Sequence, residues 1–547
     1  MSQAELEETG QSLFAHKEKI KIEVGKGVVK IFTNRLLKIE TAYYLSLFIV
    51  GLLLVSQGTL SPISRALPGT DSSVFIYMGR AINRGFIPYK EVFDHKGPVL
   101  YLINFLGTLP GGTWLLWIFE LLSICVAIYF AYKTAKIFSK PLVAFLSTVI
   151  SISTVAVYFS SGNLVEEYAL PFIFISLYIF TSSIWKEKNL NKKQLMILGS
   201  CAAAVLFLRP NMIAIWLSYC PILFFAVIFR KKFKIATGYI LYFICGTLFV
   251  SVPIAIYLFV NKALNDFYLA YILFNLKYTQ LMPGNRIMAI TSYIDLLATS
   301  SLCILIYYLI LRKNNSKKEG LLIFSLMVYF CASFVFIGST GTGYAHYGMI
   351  LVPCYLIPTV LLINHIVNNK HQSIRDIFFR ALIVVALFMC ILSNCIFLGY
   401  KIINISANRG ANPLIDNILL NDPYSRKIYT NSIIKTAQIV RQYSGREQCI
   451  SVTGNFVNIY LASQKMSCSK YIYQDPVAFV DKNRLKEYLL DLLKQKPKII
   501  VSSKKISQVA SFGEYTVNAD KVLDGLLGEY YKPVNPTDIF VVYMRIK

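Results

Sequence analysis

The sequence predicts a polytopic α-helical membrane protein that ends in a small α/β domain. Hydrophobic residues make up 55% of the 547 residues and charged residues only 15%, whereas soluble domains carry about 25% charged residues. The apolar residues lie in repeated runs of about twenty, the length that an α-helix needs to cross a bilayer. After residue 400 polar residues return, and strand-like runs alternate with helix-like runs.

Apolar runs predict about eleven membrane spans. They lie at 41–59, 113–132, 141–160, 167–184, 195–208, 213–229, 237–260, 292–311, 320–337, 347–367 and 378–399. The runs at 195–208 and 213–229 flank Arg209-Pro210-Asn211, and we interpret them as two spans because each borders a basic loop on one side only; the alternative is one broken helix. The run 98–109 is too short to span and predicts an interfacial or re-entrant helix.

The loop between the first two long runs, residues 60–98, gathers acids, cations and a histidine close to the membrane. Within it, residues 71–84 place apolar side chains at helical spacing, with Asp71 near the N-terminal end where a carboxylate is favoured. The spacing predicts an amphipathic helix that lies on the outer surface.

The net charge of +26 is spread over short loops between apolar runs, which is typical of cytoplasmic loops that face anionic lipids. Nucleic-acid binding would need a basic face on a soluble module, and the sequence offers none. Segment 1–40 is therefore expected to be cytoplasmic, 41–400 to form the membrane domain, and 401–547 to be extracellular, in a multi-pass plasma-membrane protein. No cleavable signal peptide is expected in the polar first forty residues.

The C-terminal region is predicted to form an α/β domain. Strand-like runs at 449–453, 497–502 and 538–545 alternate with helix-like stretches around 459–461 and 481–494. Cys449 and Cys468 lie here, on the predicted outer side, and are candidates for a disulfide; the sequence does not give the distance between them.

Two carboxylates bracket the charged loop. Asp71 or Asp94 would serve as a general base on an acceptor hydroxyl while the other binds the acceptor or a cation, since a carboxylate in a partly desolvated pocket has its pKa raised towards a useful range. The alternative is structural: Asp71 caps a helix and Asp94 pairs locally with His95 or Lys96.

Other side chains on the predicted outer face are candidates for binding a phosphate or a sugar, with headgroup contacts, aromatic-belt positions and plain solvated helix ends as the structural alternatives. Arg209 lies between two apolar runs and needs an anionic partner, either a phosphate-bearing lipid or Glu120, Glu166 or Glu167. The candidates are Lys96, His95, Arg209, His346, Tyr344, Tyr89, Glu166 and Glu167.

Three motifs resemble the GT-C superfamily of integral membrane glycosyltransferases, in particular bacterial proteins related to the protein O-mannosyltransferase and aminoarabinose transferase group. They are Asp71 after the first span, the loop ending in Phe93-Asp-His-Lys-Gly-Pro98, and Tyr344-Ala-His-Tyr347 before Pro353. The resemblance covers the whole chain, including the outer C-terminal domain.

The resemblance implies transfer of a sugar from a polyprenyl-phosphate donor to a cell-envelope polysaccharide or similar acceptor on the outer face, with inversion at the anomeric carbon. It places the base at Asp71 and a second acid at Asp94. Many relatives have Asp-Glu after the first span, whereas here Ser72 follows Asp71, which argues against a metal that needs adjacent acids. No cofactor is therefore assigned, and a divalent cation is left as an open alternative. The sequence leaves open the sugar, the acceptor polymer and the oligomeric state. The abundance of Lys, Ile and Asn is typical of a low-GC bacterium, for which a teichoic acid side chain is a suitable acceptor.

Two other classes of function compete. A transporter or flippase for a lipid-linked sugar predicts charges at mid-membrane and internal repeats, and the sequence shows no repeat. A non-catalytic assembly protein that binds cell-wall polymer would not need the cluster from Asp71 to Lys96.

Overall fold

The computed structural model describes residues 38–281, 285–308, 316–339, 341, 343–368, 374–406, 423–474, 477, 480–503 and 523–546. Except for residues 38–40, the predicted cytoplasmic segment 1–40 lies outside them. The chain divides into two compact units, residues 1–50 and 51–547. The described part of the first unit is helical and belongs to the helix Lys38–Ser56; the sheet and the cavity described below lie in the second unit.

Eight helices of the described residues are long and apolar enough to cross a membrane, so the polytopic helical fold is confirmed. They are Lys38–Ser56, Trp114–Ala135, Pro141–Tyr158, Val165–Trp185, Phe233–Val260, Lys317–Ser339, Ala345–Val367 and Ile383–Ile403. The other three predicted spans fall on shorter helices, Lys192–Leu206, Ala214–Phe229 and Leu296–Ile306. The runs on either side of Arg209 are separate helices joined by a 3₁₀ turn, Pro210–Met212.

Several further helices connect these spans. The helix Pro98–Thr108 has 11 residues, and at 1.5 Å per residue it reaches about half of the ~30 Å that a span needs. A run of helical turns with a π-helical middle covers 264–281, and the long helix Ile374–Ser406 precedes the C-terminal region. The remaining short helix of the membrane region is Arg286–Thr291.

The predicted surface helix is present but is not on the surface. It spans Thr70–Asn83, with Asp71 in its first turn, and 10 of its 14 residues are buried. Gly79 lies against the backbone of Asn104, so that the helix packs closely on Pro98–Thr108. On another side, Tyr77 packs edge-on against Tyr460, with ring centroids 5.5 Å apart. The prediction of a surface helix was wrong because the C-terminal region covers the face that the sequence left polar.

The C-terminal region contains a five-stranded mixed sheet in the order β2-β1-β3-β5-β4, which confirms the predicted α/β character. Strands β2, β1 and β3 are parallel, and β5 pairs antiparallel with both β3 and β4. The strands are β1 Cys449–Val452, β2 Met466–Ser467, β3 Ile499–Ser503, β4 Tyr531–Val534 and β5 Phe540–Arg545. The helices of the region are Pro423–Ser444, Asn458–Ser463, Lys482–Gln495 and 523–530. The domain boundary at residue 400 stays a prediction.

Cys449 and Cys468 form a disulfide, so the pairing that the sequence left open is present. It joins the start of β1 to the residue just after β2, two strands that are paired in register.

The C-terminal region is held to the 60–98 loop by hydrogen bonds far apart in sequence. The Phe93 amide donates to the Lys470 carbonyl at 2.9 Å, and the Ser467 amide donates to the Tyr77 hydroxyl at 2.8 Å. The Asn458 carboxamide donates to the Pro68 carbonyl at 2.9 Å. These bonds bring residues of the C-terminal region to the loop that carries the candidate acids.

Candidate active site

A cavity of about 590 Å³ lies where the 60–98 loop, the segment 206–211, the helical turns at 264–281, the segment 339–347 and the C-terminal region meet. Seven of the ten candidate residues line it: Asp71, Asp94, His95, Lys96, Arg209, Tyr344 and His346. The cavity therefore combines acids, cations and aromatic rings drawn from five parts of the chain.

A glycine brings two of these parts into contact. Gly97 lies so close to the carbonyl of Phe207 that a Cβ atom would collide with it. The Val99 amide also donates to the Phe207 carbonyl at 3.3 Å. The glycine of the His-Lys-Gly-Pro motif is thus required by backbone approach, and this approach places Lys96 and Arg209 in the same cavity.

Asp71 faces the cavity from the first turn of its helix and is only partly buried. No described residue makes a hydrogen bond or ion pair with its carboxylate. Removal from water raises the pKa of Asp71 above its ordinary value; Lys96 opposes this rise, Asp94 adds to it, and Arg209 opposes it. The side chain is an accessible carboxylate with increased basicity, which is the property that a general base needs.

Asp94 has the opposite environment. It is fully buried, and its two oxygens accept hydrogen bonds from the Tyr473 hydroxyl at 2.5 Å and the Tyr101 hydroxyl at 2.8 Å. Burial alone would raise its pKa, but Lys96, His95 and the two hydroxyls together hold the pKa of Asp94 below its ordinary value. The two acids of the loop therefore differ: Asp94 is an ionised anchor, and Asp71 is left free to take a proton.

His95 is neutral and holds its neighbour in place. Its Nδ1 lies 2.9 Å from Asn275 Oδ1, and its Nε2 lies 3.1 Å from Lys96 Nζ. These partners assign the proton to Nδ1, so that Nε2 accepts from the ammonium group. Burial, together with the positive charge of Lys96, lowers the pKa of His95 to about 4, which keeps the ring neutral at physiological pH.

The main chain of Lys96 is fixed by two buried tyrosines. The Lys96 amide donates to the Tyr101 hydroxyl at 3.1 Å, and its carbonyl accepts from the Tyr89 hydroxyl at 2.9 Å. Tyr89 does not line the cavity; it is buried in a tight turn with φ +67° and packs against Tyr101 and Phe267. The side chain that the sequence offered as a sugar contact instead shapes the loop.

Arg209 finds its anionic partner in Glu166, one of the alternatives that the sequence left open. Its guanidinium also lies over the ring of Tyr347, 3.9 Å from the centroid. His346 Nε2 lies 4.0 Å from Glu166, and the His346 ring is parallel to that of Tyr344, 5.9 Å away. Arg209 therefore presents an oriented cation to the cavity, with part of its charge already balanced.

Glu166 and Glu167 are not solvated helix ends, because both are buried. Glu166 contacts Arg209 and His346, which line the cavity. Glu167 accepts a hydrogen bond from the Leu164 amide at 3.3 Å and caps its own helix. Neither side chain lines the cavity. Among the described residues, no three His, Cys, Asp or Glu side chains come together as a metal-binding set.

Sequence reasoning missed several polar residues of the cavity wall, among them Asn275, Tyr278, Asn455 and Tyr473. Asn275 and Tyr278 come from the helical turns at 264–281, and Asn455 and Tyr473 come from the C-terminal region. No motif marks them in the sequence. The only available signal was that Asn275 and Tyr278 lie three residues apart on one side of a helix, which also describes an ordinary packing face.

A family model described as the putative competence-induced protein Ccs4 N-terminal domain matches residues 33–408. No curated protein matches the chain.

Two solved structures are similar along most of the chain. The crystal structure of ArnT from Cupriavidus metallidurans bound to undecaprenyl phosphate has a TM-score of 0.57 and 12% identity, covering 91% of this chain and 97% of that one. The archaeal oligosaccharyltransferase AglB from Archaeoglobus fulgidus, in complex with an inhibitory peptide and a dolichol-phosphate, has a TM-score of 0.50 and 13% identity, covering 93% and 75%. Both have the GT-C fold, so the GT-C architecture that the loop motifs implied is confirmed.

Proposed function

Since the chain belongs to the family of the putative competence-induced protein Ccs4 N-terminal domain and has the GT-C fold, we propose that it is a membrane glycosyltransferase. It transfers a sugar from a polyprenyl-phosphate donor to a cell-envelope glycan on the outer face of the plasma membrane, with the N-terminus in the cytoplasm. The observation that carries the proposal is the cavity in which the accessible carboxylate of Asp71 shares one space with Lys96 and Arg209.

The donor is proposed on the chemistry of this cavity. Lys96 Nζ has no carboxylate within ion-pair distance among the described residues, and His95 directs it towards the space that Asp71 also faces. A lipid phosphate supplies the missing negative charge. The ArnT structure contains undecaprenyl phosphate and the AglB structure a dolichol-phosphate, which supports a lipid-linked donor here.

The proposed reaction is a single displacement. Asp71 accepts the proton of an acceptor hydroxyl while that oxygen forms a bond to the anomeric carbon. The bond between the anomeric carbon and the phosphate oxygen breaks, and its electrons leave with the polyprenyl phosphate, whose charge Lys96 and Arg209 stabilise. Attack from the face opposite the phosphate inverts the anomeric configuration.

The direct test uses the full-length protein in nanodiscs. It is supplied with a panel of undecaprenyl-phosphate hexoses and with cell-envelope glycan purified from the cells that naturally make the protein. Incorporation of the sugar into glycan with release of undecaprenyl phosphate is the expected result. Movement of the lipid-linked sugar across a liposome membrane without transfer would instead identify a flippase. If the protein showed neither transfer nor movement, the remaining interpretation would be a non-catalytic scaffold protein.

Replacing Lys96 by methionine is expected to raise the KM for the lipid-linked donor by about 10- to 100-fold, because a hydrogen bond to a charged group contributes about 1.5–3 kcal/mol. Arginine at this position should retain part of the affinity. Initial rates at varied donor concentration measure the effect. Lys532→Met, at an exposed position on β4, is the matched control; equal donor KM values in the two variants would remove Lys96 from the donor site.

Transfer is expected to depend on pH through Asp71. The base acts only when ionised, so the rate rises with pH through the pKa of Asp71, and this pKa lies above its ordinary value of 3.8. Activity should therefore be lost on acidification at a higher pH than an exposed aspartate would give. A pH profile of kcat/KM measures this limb, and an acid limb at the ordinary aspartate value would contradict the assignment.

A further inference from the structure

One polar group in the cavity wall has no part in the reaction described above. Asn455 lies in the loop between β1 and the helix Asn458–Ser463, and it lines the cavity. Its Oδ1 is shielded from solvent and receives no hydrogen bond from any described residue. A buried amide oxygen without a donor is destabilising, and the residue that carries it lines a space large enough for a ligand.

The loop that carries Asn455 is held in place. Gly454, with φ +80°, makes the turn that a residue with a side chain would resist. The Gly454 amide donates to Gln474 Oε1 at 2.5 Å, and the Thr453 amide donates to the Val501 carbonyl at 2.9 Å. Asn455 is therefore fixed at the cavity before any ligand arrives.

The topology of the sheet independently marks this loop. β1 is the middle strand of the parallel part, with β2 on one side and β3 on the other. The chain leaves β1 for one neighbour and returns to the opposite one, so that the carboxyl end of β1 is a topological switch point. Ligands of open α/β sheets bind in the crevice at such points, and Asn455 follows the end of β1 by three residues.

The surroundings suit a sugar. Tyr278, Tyr344 and Tyr473 bring aromatic rings to the same cavity, where they can cover the apolar face of a pyranose. A carboxamide oxygen accepts from a hydroxyl group. We propose that the side-chain carboxamide of Asn455 binds a hydroxyl of a sugar in this cavity, which gives its unpaired oxygen a donor. The inference rests on the proposed function and adds to it a specificity-determining residue from the C-terminal region.

The hydroxyl belongs either to the donor sugar or to the acceptor glycan, and Asn455→Ala separates the two. Alanine is compatible with the backbone at this position, because Asn455 is not among the residues with positive φ. Thermal unfolding is followed in the presence of undecaprenyl phosphate and of undecaprenyl-phosphate hexoses, and rates are measured at varied donor and acceptor. Asn483→Ala, at an exposed position in the helix Lys482–Gln495, is the matched control.

If Asn455 binds the donor sugar, the variant should lose the extra stabilisation that the sugar gives beyond undecaprenyl phosphate, and the donor KM should rise about tenfold. If it binds the acceptor, that stabilisation is kept and the acceptor KM rises instead. Unchanged stabilisation together with both KM values unchanged overturns the assignment but leaves the proposed function standing. If the wild-type protein is stabilised equally by undecaprenyl phosphate and by every sugar-bearing lipid, and transfers no sugar, both the Asn455 assignment and the proposed function are overturned.

Discussion

The substitution Asp71→Asn should reduce the turnover of sugar transfer by about 100- to 10,000-fold, the range that a positioned general base contributes. The carboxamide keeps the size and polarity of the side chain but cannot take the proton of the acceptor hydroxyl. Because the phosphate contacts of Lys96 and Arg209 remain, the donor KM should change little. Initial rates at saturating and limiting donor concentrations measure the two quantities separately.

The control for this experiment is Asp524→Asn, which removes a carboxylate from an exposed position of the helix 523–530, outside the cavity. Its turnover should equal that of the wild type. Asp71→Glu restores a carboxylate at a shifted position and should recover part of the activity. If Asp71→Asn turns over at the wild-type rate, the base is another group.

The substitution Asp94→Leu is expected to lower the free energy of unfolding by about 3–5 kcal/mol. The buried hydroxyls of Tyr101 and Tyr473 lose their common acceptor, and each unpaired group costs about 1–3 kcal/mol. Tyr473 belongs to the C-terminal region and lies 379 positions from Asp94 in sequence. The contact between the C-terminal region and the 60–98 loop should therefore weaken. Thermal unfolding and limited proteolysis of the nanodisc-embedded protein report the two effects.

A second substitution makes this test specific. Adding Tyr473→Phe to Asp94→Leu removes one of the unpaired hydroxyls, so the double variant should be more stable than the sum of the two single changes predicts. Additive losses in the double variant would mean that the Asp94–Tyr473 bond does not join the two regions. A wild-type unfolding temperature for Asp94→Leu would contradict the anchor role altogether.

Much of the membrane fold could be predicted because it depends on local sequence. A helix in lipid must satisfy its own backbone hydrogen bonds and present apolar side chains along some twenty residues. One continuous apolar stretch of sequence is therefore enough to locate it. The predicted run 113–132 and the observed helix Trp114–Ala135 differ by only a few residues. The strands Ile499–Ser503 and Phe540–Arg545 were found for the same reason, since each is a short β-branched or aromatic run.

The candidate site was only half predictable. Asp71, Asp94, His95 and Lys96 stand together in one loop, where a cluster of charges beside a membrane span draws attention to them. Nothing in the sequence distinguished the two acids. Their difference arises because Tyr473, from the other end of the chain, donates a hydrogen bond to Asp94, while no described residue pairs with Asp71.

The sequence by itself determined that this protein is a helical membrane protein with an α/β region at its end, and that its chemistry is to be sought after the first span. Only the tertiary structure decided that the helix Thr70–Asn83 is buried, that Tyr89 shapes a turn and that Asn455 faces the cavity. The physical reason is that hydrophobic periodicity records how one segment is solvated. Which distant segment covers its polar face depends on packing between residues hundreds of positions apart, and no local pattern encodes that contact.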